Sequence, residues 1–149
     1  MRYLAPLVLF LFACGSQKNL THSNMKEIDV QKATIIETKK EKVYADPFVI
    51  QSAKITGNQI QIIVTTFSDL NTTAFTLTGD STLAKSLPPI RSIQLSTDFI
   101  PVTSKSGNLT QKELTMYFDI SELAYKKESG SQIYLQFEGA NERLLYTYQ

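Results

Sequence analysis

Hydrophobic and polar residues alternate in short runs over most of the chain. From residue 47 onwards, Ile, Val, Thr, Phe and Tyr recur at every second position, and Gly, Asn, Asp or Pro interrupts the runs. A period of two with many β-branched residues is typical of strands that bury one face. The pattern predicts strands at 48–56, 59–67, 73–79, 90–98, 110–120, 132–138 and 143–148.

The connections between these runs indicate how the strands are arranged. Gly57 and Asn58 form a two-residue link with glycine first, which suits a type II′ hairpin turn. Pro88 and Pro89 lack the N–H that a strand ladder requires, so a strand break is expected there. Residues 121–124 predict a short helical turn. About seven strands in roughly 100 residues predict an all-β fold, an antiparallel β-sandwich of immunoglobulin-like shape. A closed β-barrel is the alternative.

The first fourteen residues have the layout of a secretory signal. Arg2 precedes an almost unbroken apolar run over 3–13, which is shorter than the roughly 20 residues that cross a bilayer as a helix. The Leu-Phe-Ala-Cys segment at 11–14 resembles the bacterial lipobox, whose cysteine is acylated with chains such as palmitate. The resemblance implies removal of residues 1–13, lipidation of Cys14 and attachment to the membrane through the lipid anchor. An ordinary signal peptide cut nearby, with Cys14 incidental, is the alternative.

Residues 14–46 are polar and carry charges of both signs. Such a composition predicts a tether that is disordered to about residue 32. The residues at 34–38 then fit either a late edge strand or part of an amphipathic helix. The chain therefore divides into a lipoprotein signal peptide at 1–13, a lipid-anchored polar tether at 14–46 and a β-sandwich domain at 47–149.

The chain resembles a group of small Bacteroidetes envelope lipoproteins of unknown function. The residues that carry the resemblance are at 46–50, 57–58, 86–89 and 119–123. Members often have a Gly-Gly-Cys segment with a nearby His where this chain has 66–71, so a disulfide or metal role of that segment does not carry over. In lipoproteins of this group, a short acidic run just after the lipidated cysteine is associated with export to the cell surface. Residues 15–18 contain no acidic residue. The resemblance implies a periplasm-facing protein on the outer membrane.

Charge and residue counts exclude several classes of function. Fifteen basic residues against 14 acidic ones give a net charge of +1, too little to drive counterion release from nucleic acid. One Cys and one His exclude an intrachain disulfide and a multi-His or Cys-based metal site. We expect no cofactor, no metal and no enzymatic activity. A carboxylate pair of the glycosidase kind, from Asp69 and Asp80, is the catalytic alternative, although both lie where Asp commonly forms turns.

Two tyrosines and one serine are the candidate functional residues of the predicted domain. Tyr117 and Tyr134 fall opposite the inward residues of their strands, so they predict an exposed aromatic binding surface on one sheet face. Cross-strand pairing or coverage by the tether is the alternative. The Asp80-Ser81-Thr82 segment resembles the Bacteroidetes O-glycosylation signal, and the resemblance implies modification of Ser81. A simple loop turn without modification is the alternative.

Three functions follow from these features. The first is a non-enzymatic envelope lipoprotein that binds or scaffolds a periplasmic protein or a glycan. The second is a carboxylate-based glycan hydrolase or an inactive relative of one. The third is a structural lipoprotein that assembles with its own kind, for example by pairing of edge strands.

Overall fold

The chain folds into two β-sheets that pack face to face. A computed structural model describes residues 29–37, 47–66, 70–98 and 111–149. These residues form nine strands: β1 (Val30–Lys32), β2 (Thr34–Ile36), β3 (Phe48–Thr56), β4 (Gln59–Thr66), β5 (Phe75–Ala84), β6 (Ile90–Thr97), β7 (Lys112–Asp119), β8 (Gln132–Phe137) and β9 (Leu144–Thr147). Short 3-10 turns lie at Thr72–Ala74 and Ser121–Leu123. The second of them is the helical turn that the sequence predicts.

The order of the strands confirms a sandwich and corrects two expectations. Sheet A has the order β1-β7-β4-β3, and sheet B has the order β2-β5-β6-β8-β9. Neither sheet closes on itself within the described residues, so the closed-barrel alternative is wrong. The sheets are mixed rather than purely antiparallel, because β1 pairs with β7, β2 with β5 and β6 with β8 in parallel. A parallel pair needs a crossover connection, and for β6 and β8 the chain crosses to β7 in sheet A and returns.

The N-terminal strands join both sheets through a single buried residue. Ala33 lies between β1 and β2, is fully buried and donates its N–H to the carbonyl oxygen of Asp119 at 2.9 Å. Its small side chain lets the chain pass from the edge of sheet A to the edge of sheet B. The strand expected at 34–38 is present as β2. The disorder expected up to about residue 32 is not seen in β1, which pairs with β7.

The core lies between the two inner faces, on the alternate positions that the sequence predicts. The fully buried side chains on these faces belong to Ile60, Ile62, Val64, Leu77, Phe118, Ile133, Leu135 and Tyr146. Each contributes roughly 1.5–3 kcal/mol by leaving water. The alternation in 132–138 predicts burial of Ile133, Leu135 and Phe137, and the structure buries the first two but leaves Phe137 half-buried. No helix in the part of the chain that the structure describes has the length and apolar character needed to cross a membrane.

A buried arginine closes one end of the sandwich under the 3-10 turn. Arg91 points inward from β6; its Nε donates to the carbonyl oxygen of Leu123 at 3.0 Å, and its terminal nitrogens donate to the carbonyls of Asp80 and Ala124. Burial lowers the pKa of Arg91 from its ordinary value, and the charge of Asp80 opposes that shift. A Cβ at Gly79 would lie 2.8 Å from Leu123 Cδ2 and 2.9 Å from Arg91 Cδ. Gly79 therefore makes the room in which this arginine lies.

The predicted hairpin turn at residues 57–58 holds the C-terminus at the same end. Gly57 has a φ of 58°, and no non-glycine residue in the described ranges has a positive φ, which makes the turn type II′. The Asn58 side chain donates to the carbonyl oxygen of Gln149 at 3.0 Å and accepts from the Tyr146 hydroxyl at 2.9 Å. Its backbone carbonyl accepts the N–H of Ile120 at 2.9 Å. One residue thus joins β3, β4, β7 and β9.

A methyl group at Gly79 should destabilise the fold. We expect Gly79→Ala to lower the free energy of unfolding by about 1–3 kcal/mol, because the added carbon overpacks against side chains that have no room to move. Urea unfolding measures the loss. Thr76→Ala, at an exposed position of the same strand, is the control and should change stability by much less. Equal unfolding midpoints for Gly79→Ala and the wild type would contradict this packing.

Tyr146 should make the fold sensitive to alkali. Burial raises its pKa from 10.0 to about 12, helped by the charges of Tyr148 and Asp119. A raised pKa in the folded state means that the stabilisation is present below pH 10 and is lost between pH 10 and 12. Tyr146→Phe loses the hydrogen bond to Asn58, about 1 kcal/mol, yet cannot ionise.

Urea midpoints at pH 8 and pH 11 test this difference. Tyr146→Phe should be less stable than the wild type at pH 8, and the gap should narrow or reverse at pH 11. Tyr125→Phe, at an exposed position, should follow the wild type at both values. A gap that stays constant from pH 8 to pH 11 would show that Tyr146 does not control the alkaline transition.

Candidate functional site

A groove opens between the two sheets at the end opposite Arg91 and Asn58. Its volume is about 380 Å³, and it is bounded by β3 on one side and by β6, β8 and β9 on the other. The apolar residues that line it are Phe48, Ile50, Ala53, Ile93, Leu95, Phe137, Ala140 and Leu144. The polar residues on its rim are Gln51, Ser52, Gln94, Glu138 and Glu142. The groove therefore combines apolar side chains with polar groups, and both kinds of group are found in ligand sites.

The groove exists because β8 leaves β6 before β6 ends. The two strands pair from Ile90↔Tyr134 to Ile93↔Phe137, and this pairing ends there although β6 continues to Thr97. On the facing side, β3 is the last strand of sheet A and pairs with β4. Where β8 turns away, Ile50, Phe137 and Leu144 are half-buried, whereas Ile93 and Leu95 below them stay buried.

The turn from β8 to β9 shapes one wall of the groove. The N–H of Ala140 donates to the carbonyl oxygen of Phe137 at 3.0 Å, and the Gln136 side chain donates to the carbonyl oxygen of Ala140 at 2.6 Å. Gly139 occupies the third position of this turn with a φ of 78°, as a type II turn requires. The left-handed conformation of Gly139 thus sets the direction in which the chain leaves β8 along this wall of the groove.

The floor of the groove is anchored by an aromatic pair. Phe48 begins β3 and meets Phe75 edge to face, with ring centroids 5.0 Å apart. A β-bulge follows between Ile50 and Ser52, so Ile50 and Ala53 both turn inward although three positions separate them. The bulge keeps the inner face of β3 apolar along the whole groove.

The two candidate tyrosines do not form one surface. Tyr117 lies in β7 on the outer face of sheet A, and Tyr134 lies in β8 on the outer face of sheet B, because their strand neighbours point into the core. Both are half-buried, and the Tyr117 hydroxyl accepts a hydrogen bond from the Gln61 side chain at 3.0 Å. The expectation that they share one sheet face is therefore wrong, and neither lines the groove.

The other sequence-predicted sites lie apart from the groove. Ser81 is exposed in the irregular part of β5 between Gly79 and Leu83, and its O-glycosylation stays a prediction. Asp80 is half-buried beside Arg91, while Asp69 lies outside the described residues, so the carboxylate pair is untested. Cys14 also lies outside the described residues, and its lipidation stays a prediction.

A second depression of about 520 Å³ lies around the edge and outer face of sheet B. It is lined by polar residues, among them Asp80, Ser92 and Arg143, together with Leu83, Ala84, Ile90 and Phe137. The groove lies between the two sheets and is lined by inner-face residues of both, so it is the stronger candidate for binding.

Sequence comparison assigns the chain to no known group. No protein-family model matches it, and no curated protein matches it. Among solved structures, it is similar to a NigD-like immunity protein from Bacteroides caccae, with 9% sequence identity and a TM-score of 0.46. The similarity covers 78% of this chain and 58% of that protein, so the chain spans less than two thirds of its length. At this level of similarity nothing about binding carries over.

One signal in the sequence could have located part of the groove. Apart from the exposed Val49, the apolar residues of β3 lie at 48, 50, 53 and 55, so their period of two slips by one residue at 51–52. A slip of this kind predicts a bulge, and bulges are common at sheet edges and near functional sites. Phe137 and Leu144 give no such signal, because their alternation is the same as that of core residues.

The Gly139 turn should be sensitive to substitution by alanine but less so by asparagine. We expect Gly139→Ala to lower the free energy of unfolding by about 1 kcal/mol, because a left-handed φ is costly for a residue with a Cβ. Nothing lies within 4 Å of a Cβ there, so steric contact does not contribute. Gly139→Asn should recover much of the loss, because Asn tolerates this conformation. Thermal unfolding separates the two, and equal losses would argue against a type II turn.

Proposed function

We propose that this chain is a non-enzymatic, lipid-anchored binding module of the bacterial envelope. In this proposal the groove between β3 and the β6, β8 and β9 strands holds a segment of another envelope protein. The observation that supports it is the groove itself, in which Ile50, Phe137 and Leu144 are only half-buried beside β3, the last strand of sheet A. A sandwich that only filled space would gain stability by covering those residues.

The chemistry of the groove favours a protein segment over a glycan. Sugar recognition relies on planar hydrogen-bonding side chains and on aromatic faces that stack against the ring. Here glutamines and glutamates lie at the rim, but the aromatic residues of the described lining are the buried Phe48 and the half-buried Phe137, so no fully exposed ring is available for stacking. Peptide recognition by extended segments uses apolar pockets and backbone edges, which this groove offers.

The polar groups of the groove support a binding role rather than catalysis. Ser52 supplies the one hydroxyl of the described lining, and the remaining polar side chains are two glutamines and two glutamates. A serine nucleophile needs an adjacent base that is itself oriented by a third group. Among the described residues of the lining there is no histidine, lysine or cysteine that could take that part.

The proposed anchor would keep the groove close to the membrane. Cys14 precedes β1, which begins at Val30, by 16 residues. A fully extended chain advances at most about 3.5 Å per residue, which limits this connection to about 55 Å. A partner would therefore have to lie in the same membrane or within that distance of it.

Photo-crosslinking in the native envelope tests the proposal. Benzoylphenylalanine replaces Ser52 or Ala140 in the groove, and Tyr134 on the outer face of sheet B is the matched control position. We expect both groove positions to give the same discrete adduct and the control position to give none. Adducts of equal yield from all three positions, or none from the groove, would refute binding in the groove.

The unanchored variant tests the membrane part of the proposal. Cys14→Ser should move the protein out of the membrane fraction and remove the groove adduct, because the lipid no longer concentrates the protein near its partner. A variant that stays in the membrane fraction would show that attachment does not depend on this cysteine. The adduct from Ala140 in detergent extracts then separates loss of anchoring from loss of binding.

A further inference from the structure

Resting on the lipid anchor of the proposed function, we infer that the closed end of the sandwich, where Arg91 and Asn58 lie, rests against an anionic lipid surface. The juxtaposition behind this inference is an exposed leucine at a hairpin tip and an exposed tyrosine in the next loop at the same end, with lysines around both. The two segments are the β5–β6 hairpin at 85–89 and the loop at 125–127. Together they form what is termed below the closed-end tip.

The hairpin presents an apolar side chain that the rest of the protein does not cover. Leu87 lies in the link between β5 and β6 and is 98% exposed, more than any other large apolar residue in the described ranges. A single exposed leucine is common on protein surfaces, so its meaning depends on its neighbours. Moving its side chain from water into an apolar phase is favourable.

The loop after the second 3-10 turn supplies those neighbours. The Arg91 side chain, near the start of β6, donates to the carbonyl oxygens of Leu123 and Ala124. The loop that follows therefore begins beside the start of β6, at the same end as the hairpin. Tyr125 is 49% exposed there, and its ring centroid lies 5.8 Å from Lys126 Nζ. An amphipathic ring beside a lysine is typical of the boundary between lipid headgroups and acyl chains.

The charges of the closed-end tip favour an anionic surface. Lys85, Lys126 and Lys127 are exposed there, and Glu122 bonds to Lys127 at 2.8 Å. With the exposed Glu128, three lysines stand against two glutamates. Lysine stems can lie along apolar groups while the ammonium group stays among the headgroups. Basic residues next to a membrane are attracted by anionic lipids, so this small excess would orient the domain more than it would bind it.

The proposed anchor can reach a membrane on which this end rests. Val30 begins β1 and pairs with Tyr117, and Asp119 ends β7 two residues later at the closed end. At about 3.3 Å per residue, Val30 lies about 7 Å from that end along the strand. Cys14 precedes Val30 by 16 residues, a connection several times longer than this distance. The anchor would also keep the tip at a high effective concentration near lipid, so that a weak contact would be populated.

This orientation directs the groove away from the membrane. The groove opens at the other end of the strands, and the eight residues of β7 span about 26 Å. A partner could then enter the groove without displacing lipid. A protein that receives Leu87 in a pocket of its own is the competing partner, and the test includes it as an outcome.

Quenching by brominated lipid tests the inference on the full-length chain. The protein has no tryptophan and one cysteine, so Leu87→Trp gives a single indole, and a maleimide lipid attaches chain from cell-free synthesis to vesicles at Cys14. Val49→Trp is the matched control, because Val49 is 56% exposed at the groove end. The apolar run at 3–13 is common to both variants. In vesicles of phosphatidylcholine and phosphatidylglycerol, we expect brominated acyl chains to lower the fluorescence of Leu87→Trp by about half and that of Val49→Trp by much less.

Variants of the closed-end tip measure what each side chain contributes. Leu87→Ser should lower the quenching of Tyr125→Trp by about twofold, because the leucine no longer enters the acyl region. Lys85→Gln with Lys126→Gln should lower the quenching of Leu87→Trp in vesicles with phosphatidylglycerol and leave it unchanged in phosphatidylcholine alone. Lys112→Gln, exposed at the start of β7, is the control for charge and should have no effect. Urea midpoints confirm that each variant folds.

The outcomes separate this inference from the proposed function. Equal quenching of Leu87→Trp and Val49→Trp, or quenching of neither, would overturn the inference. Quenching that does not respond to Leu87→Ser or to the lysine variants would overturn the assignment of the contact to these side chains. A discrete protein adduct from benzoylphenylalanine at Leu87 in the native envelope would replace the membrane by a protein partner. Loss of the groove adduct would refute the proposed function instead and leave the quenching intact, because coupling at Cys14 does not depend on acylation in the cell.

Discussion

The four hydrogen bonds of Asn58 are the constraint on which one end of this sandwich depends. Its side chain and backbone hold β7 and the C-terminal residues against the β3–β4 hairpin. These contacts connect elements that are distant along the chain, so none of them forms from local propensity alone. Because the Tyr146 hydroxyl is buried with Asn58 as its partner, leaving either group unpaired would cost a desolvated polar group.

The closed end allows the opposite end to remain open. Arg91 and Leu123 fill the space between the sheets under the 3-10 turn, and Gly79 gives them room. Toward the other end β8 separates from β6, and the inner faces are covered only in part. Binding sites are commonly built where a rigid scaffold leaves backbone and apolar side chains accessible. The division into a packed end and an open end gives the groove walls that do not depend on a ligand.

The sequence predicts the strands of this fold better than their neighbours. In β7 the alternation around Met116 fixes which face is buried, because the side-chain period of a strand is two. The same alternation does not indicate whether the adjacent strand runs parallel or antiparallel, so the sequence does not predict the parallel pairs. Strand β1 was also missed, since it has three residues and leads to a single fully buried one, Ala33. The groove depends on where β8 leaves β6, which is a tertiary property of the turn at Gly139.

The edges of the two sheets bear on the choice among functions. A chain built to assemble with itself would present a long, regular edge. The edge strand β3 instead has a bulge between Ile50 and Ser52. A bulge twists an edge strand away from flat pairing, yet it leaves Ile50 and Ala53 facing inward. The same irregularity that makes the edge less regular thus preserves an apolar wall of the groove. Recognition in this protein would then reside in the groove between the sheets, and the edge itself would serve to keep other strands away.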